Sequence, residues 1–221
     1  MAEPESQLVP ISTPAEIALD IAAGVSSVAP WMGGPVAQVL NGMSLGRKLE
    51  RVRAVLMDMA SRVKNLEDEA AAEYVKADEF SELLEKALRQ AADERNEDKR
   101  KAYAGLLAGT IASPGAPYDE KIRILRTLEE IQADHIRMLN AMLQPPQPTT
   151  SMIGSLSGTL QRRLPGIGGN IAELAQQLTD MRLVTLDNIS TMMTADGAEH
   201  LENYLTPYGK RFIAYITYGA Q

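Results

Sequence analysis

The chain contains no cysteine. That absence removes disulfide frameworks, thiolate zinc sites, iron–sulfur clusters and a thiol nucleophile together. Histidine is nearly missing as well, with only His135 and His200, so little remains for metal or acid–base chemistry. Aromatic residues make up 5% of the chain, with a single tryptophan, Trp31. No Lys or Arg occurs before Arg47, and no charge of either sign occurs from Ile21 through Gly46. What is present is 221 residues, 45% hydrophobic and 23% charged, enough for one domain of ordinary core size or two small ones.

The net charge of −7 repels a polyanion unless positive charges cluster, and they do not. The first 46 residues hold Glu3, Glu5, Glu16 and Asp20 with no base, so more than half of the surplus lies there. The remaining regions are close to neutral, and nucleic acid is not an expected partner. The opening MAEPESQLVP, acidic and carrying Pro4 and Pro10, lacks the positive start of a signal peptide. Residues 1–13 read as a flexible leader, and the expected location is cytoplasmic or peripheral to the inner membrane.

The uncharged stretch would reach roughly 39 Å as one helix at about 1.5 Å per residue, which is long enough to suggest a membrane span. Pro30, Gly33, Gly34 and Pro35, set around Trp31 and Met32, break it. Two short helices, about 14–29 and 35–46, are expected instead. Two readings of this hairpin compete. Its small residues Ala18, Ala22, Ala23, Gly24, Ala29 and Ala37 suit close packing inside a bundle, with Trp31 capping the core. The same residues, with Trp31 at an interface, suit a hairpin that is held at rest and released onto a membrane or partner. The candidate interaction residues are Trp31, Met32, Gly33, Gly34, Pro35, Val36, Val39 and Leu40.

Beyond it, Leu49, Val52, Leu56, Met59, Val63, Leu66 and Ala70 repeat at alternating spacings of three and four. Such a seam predicts a long helix over about 45–76 that packs in a bundle or oligomerises. Asp78 is a candidate N-cap for a helix bearing Phe80, Leu83, Leu84, Ala87, Leu88 and Ala91. The polar run 93–98 then makes a corner, and Tyr103, Leu106, Leu107 and Ile111 continue the apolar face to the Pro114 and Pro117 loop. A further helix over about 118–143 follows, with His135 beside its stripe as a satisfied or solvated histidine. The segment 144–150, with Pro145, Pro146 and Pro148, must be extended and is the best boundary.

After that linker the order is a short helix near 152–164, a glycine-rich turn, a helix 171–181 opened by Asn170, a strand at 182–186, and a last helix opened by Pro207. Helix, helix, strand, loop, strand, helix is the order of a winged helix-turn-helix, with 118–143 as its first helix. The expected reading helix carries Glu173 and Asp180 and no Lys or Arg, and Asp187, Asp196 and Glu199 lie on the expected wing. Only Gln176 and Gln177 could reach base edges, so this unit is expected to pack or recruit rather than read DNA.

Enzymatic signatures fail one by one. The residues three before His135 and His200 are Gln132 and Gly197, so the Glu-x-x-His motif of carboxylate-bridged metal bundles is missing twice. Gly154-Ser155-Leu156-Ser157-Gly158 has no serine at its centre and no preceding strand for a nucleophile elbow. Gly166-Ile167-Gly168-Gly169 lacks the third spaced glycine of a dinucleotide loop. No enzyme activity, metal, cofactor or small-molecule substrate is expected.

The phrase Leu205-Thr206-Pro207-Tyr208-Gly209-Lys210-Arg211-Phe212 resembles the LTPxGxxF ending of bacterial winged-helix modules. With the small-residue hydrophobic start, the charged helices and the turn at Leu128–Leu139, the order over about 17–217 resembles bacterial abortive-infection Abi-alpha-type proteins. That resemblance implies a role in defence against phage or in regulated growth arrest, at or near a membrane. The chain is therefore expected to be mostly α-helical: a bundle over 14–143 that begins with the hairpin 14–46, and a winged-helix-like unit with a small β-hairpin over 151–221. A non-enzymatic interaction protein is the expected function. A winged-helix transcription regulator and a structural subunit joined through the seam are the alternatives.

Overall fold

The computed structural model describes residues 14–41, 48–66, 68–167 and 170–220. The expected leader 1–13, the end of the hairpin after Asn41, the start of the seam helix at 45–47 and the pair 168–169 lie outside the described residues. The fold is 71% helical, with twelve α-helices and one small two-stranded sheet among the described residues.

Helix α1 (Pro14–Val28) stops where Ala29 turns extended ahead of Pro30, since a residue before proline is driven out of the helical region. A 3-10 turn, Pro30–Met32, hands over to α2 (Gly33–Asn41). Gly33 permits this sharp return, because a Cβ there would lie 1.6 Å from Ser26 Oγ. Ala18, Ile21, Ala22 and Val25 turn inward from α1, Ala29 from the residue after it, and Val36, Val39 and Leu40 from α2.

The seam helix is shorter than its periodicity implies. Helix α3 (Leu49–Val63) ends in a turn, and α4 (Glu69–Tyr74) begins afresh where the Asp68 carboxylate accepts from the Ala70 N–H at 2.9 Å. Leu66 falls between the two helices, and Ala70 is exposed. Next come α5 (Asp78–Asp93) and α6 (Glu97–Ala112), separated by the polar corner, with Asn96 accepting from the Lys99 N–H to cap α6. Ala77, not Asp78, occupies the N-cap position of α5.

Every residue of α6 from Ala102 to Ile111 is buried, so this helix runs through the middle of the molecule. Its two glycines admit another helix at backbone distance. A Cβ on Gly105 would stand 1.9 Å from the Ile216 carbonyl oxygen, and one on Gly109 would stand 3.0 Å from Tyr215 Cα.

The expected helix over 118–143 is two helices, α7 (Tyr118–Glu130) and α8 (Ala133–Met142). Neither proline nor glycine marks the break; Ile131 and Gln132 are extended, and the Gln132 N–H donates to His135 Nδ1 at 2.9 Å. The segment 144–150 holds neither helix nor strand. Strand β1 (Ile153–Gly154), α9 (Leu156–Arg163), α10 (Ile171–Asp180), β2 (Met193–Thr194), α11 (Ala195–Glu199), a 3-10 turn Leu201–Tyr204 and α12 (Pro207–Ile216) complete the chain. The strands are antiparallel, with Ile153 opposite Thr194 and Gly154 opposite Met193.

The strand expected at 182–186 shrinks to one bridge between Val184 and Leu205, because Arg182 takes a left-handed φ of 60° that interrupts a ladder. The Leu205–Phe212 phrase has a local structural role: Thr206 Oγ1 accepts from the Gly209 N–H at 2.8 Å, and Pro207 occupies the first turn of α12. Gly209 lets α12 approach the 183 segment, where a Cβ would be 2.0 Å from the Leu183 carbonyl oxygen. One continuous core runs from Ala18 to Ile216.

Candidate functional site

The hairpin residues nominated by sequence are mostly turned inward. Met32 and Val36 are fully buried, Val39 and Leu40 nearly so, and Gly33 is buried. Trp31 and Pro35 are half-buried, with Trp31 packed against the core, and Gly34 is exposed. Leu19 is the one large apolar side chain of the described hairpin that points outward. The outer face otherwise shows Glu16, Asp20, Ala23, Ser27, Pro30, Gln38 and Asn41. The hairpin rests on α3 and α5, and a Cβ on Gly24 would meet Met57 Sδ of α3 at 3.4 Å. Among the described residues no helix is long and apolar enough to cross a membrane.

The seam faces the chain's own interior. Val52, Leu56, Met59 and Val63 are fully buried, with α3 packed along α6, while Leu49 and Leu66 are half-buried against the same core. These side chains form a bundle seam.

On α10, Gln176 is exposed and donates to Asp180, whereas Gln177 is engaged on both sides. Its amide nitrogen donates to Glu173 at 3.2 Å, and its oxygen lies 2.7 Å from His135 Nε2 on α8. His135 is buried with both ring nitrogens occupied, so it is a structural joint between the two helices.

Sequence reasoning missed the most buried charge cluster. Glu199, expected on an acidic wing, is only 3% exposed. Its carboxylate accepts from Arg163 Nη2 at 2.8 Å, from Arg162, from Thr159 Oγ1 at 3.1 Å and from the Gln147 N–H at 3.2 Å. Arg163 also donates to the carbonyls of Ala141, Gln144 and Pro145, so the proline-rich segment is pinned to α8, α9 and α11. Nothing in the local sequence marks Glu199; the adjacent arginines were the visible half of the cluster. A second missed group is Lys121, which is fully buried, with Nζ 3.1 Å from the Pro114 carbonyl oxygen and 3.7 Å from the centre of the Tyr74 ring. Burial pulls its ammonium below the usual lysine range. Among the described residues no group of three or more histidine, aspartate or glutamate side chains could hold a metal. Comparison of the chain with family models, with curated proteins and with solved structures returns no match.

Proposed function

We propose that this chain is a non-enzymatic bacterial interaction protein of the abortive-infection type, with its N-terminal hairpin as the active part. At rest the hairpin is stored against α3 and α5; on activation it leaves them and applies its apolar face to a membrane. The supporting observation is the contrast between that face and its covering. From Ile21 through Asn41 the hairpin has no charged residue, yet Val25, Met32 and Val36 are fully buried inside the bundle. Helices of 15 and nine residues are too short to span a bilayer, so the active form would lie at the interface. The C-terminal unit is read as winged-helix-like, on the order of α8, β1, α9, α10, the Val184–Leu205 bridge and β2. Its role would be packing, since the reading position is acidic and Gln177 is committed to His135.

The absence of cysteine makes the test clean. Gly24→Cys with Met57→Cys sets two thiols, the only two in the chain, on the contacting sides of α1 and α3 for oxidative cross-linking, with bridge formation checked by thiol counting. The expected result is that the oxidised double variant stays off floated vesicles and is harmless on expression, while the reduced protein in activated cells partitions to membrane and arrests growth. Growth arrest and partitioning that are identical in both redox states would overturn the reading.

A further inference from the structure

Where α3 passes the start of α6, a cleft of about 510 Å³ opens, closed along one side by Gly219 and Ala220. That volume is of the size that holds a small organic ligand. Its lining is rich in cations for a chain of net charge −7. Arg62 and Lys64 come from α3 and the residue after it, Arg100 and Lys101 from α6, against only Asp58 and Glu97. Both acids are already neutralised. Arg62 grips Asp58 with two bonds, at 3.0 and 2.9 Å, and Lys101 meets Glu97 at 2.8 Å.

Arg62 is part of the wall and is not free for a ligand. Its side chain is 7% exposed, and it also donates to the carbonyls of Tyr218 at 2.9 Å and Lys101 at 3.2 Å. Lys64 is exposed and makes no ion pair among the described residues. Arg100 uses a single guanidinium nitrogen, Nη1, on the carbonyls of Glu94 and Arg95, which leaves its other donors unengaged among the described residues. Among the described residues, Lys64 and Arg100 therefore carry positive charge at the mouth without an ion-pair partner, and Ala54 and Val55 supply an apolar side.

We propose that this cleft binds a small organic phosphate of nucleotide size, its phosphate held by Lys64 and Arg100 and its body against Ala54 and Val55. The site is independent of whether the hairpin is ever released.

Calorimetric titration of the full chain at about 50 mM salt, where charge attraction is weakly screened, tests it with ATP, pyrophosphate and adenosine as probes. ATP should bind, with adenosine and pyrophosphate each weaker by about tenfold or more, and Lys64→Glu with Arg100→Glu should weaken ATP by about tenfold, near 1.4 kcal/mol. Lys64→Glu alone, at an exposed position, should show part of the loss should the double variant fold poorly. Lys76→Glu with Lys86→Glu changes the net charge equally on a different face and should leave binding intact. No ATP binding below about 1 mM would overturn the site. Equal weakening by the control pair would overturn it in favour of diffuse charge attraction, and pyrophosphate binding as tightly as ATP would overturn the organic class of ligand.

Discussion

Arg163 and Glu199 meet at 2.8 Å with side chains 1% and 3% exposed, and their pairing joins the proline-rich segment to the C-terminal half. Removing Glu199 leaves Arg163 charged, buried and without a carboxylate, which costs about 3–5 kcal/mol, whereas removing Arg163 still leaves Glu199 its ion pair with Arg162. Glu199→Leu should therefore lower stability by that amount in urea titration, and Arg163→Met should lower it through the carbonyls and the half of the carboxylate it leaves without a donor. Combining them should recover much of the loss, because no lone charge is left. Arg163→Lys should rescue poorly, since an ammonium cannot reach four carbonyls and a carboxylate from one planar fork.

Glu199 also sets an acid limit. Burial alone would raise its pKa, but hydrogen bonds from Arg163, the Gln147 N–H, Arg162 and Thr159 outweigh burial and bring the carboxyl down to about 2. The unfolded chain binds this proton more readily than the folded one, so the stabilisation is complete above the ordinary glutamate range. It is lost as pH falls from about 4.5 toward about 2, amounting to roughly 3 kcal/mol. Urea midpoints followed through that window should drop steeply for the natural chain. The decline should be much shallower for Glu199→Gln.

The helical class, the hairpin break at Pro30 and Gly33, the polar corner after Asp93 and the start of α12 at Pro207 were legible because each rests on local signals: periodicity, proline, glycine or a capping hydroxyl. The ends of α3 and α7 were not. Asp68 and Gln132 interrupt periodic stripes that run on through both breaks, and a stripe alone cannot tell one helix from two in line. The strand expected at 182–186 failed because its apolar residues serve the core individually while Arg182 bends the backbone. Glu199 read as surface charge for a different reason: its neutralising arginines lie 36 and 37 residues earlier, at a separation no pattern reports.

The glycines give a paired prediction about packing. Gly105→Ala forces a methyl against the backbone oxygen of Ile216, which cannot swing aside as a side chain would. A loss of about 3 kcal/mol or more, at the upper end for overpacking, should appear as a much lower melting temperature. Gly34→Ala, in the first turn of α2, meets nothing within 4 Å. By stiffening the unfolded chain it should stabilise by about 0.4–1 kcal/mol. Equal effects from the two substitutions would contradict the close crossing of α6 and α12.

Gln176 and Gln177 separate structure from DNA reading. Because His135 Nδ1 accepts the Gln132 N–H, the ring proton sits on Nε2 and donates to Gln177 Oε1 at 2.7 Å. Gln177→Leu strands that buried donor and should cost about 1–3 kcal/mol, whereas the exposed Gln176→Ala should cost about 0.5 kcal/mol or less. Chemical denaturation of both variants measures the asymmetry. A pair of base-reading glutamines would show a different pattern: similar, small stability changes, with salt-dependent DNA retardation lost in both. Unequal stabilities without any retardation place Gln177 in the joint between α8 and α10, and leave the acidic face of α10 with no DNA to read.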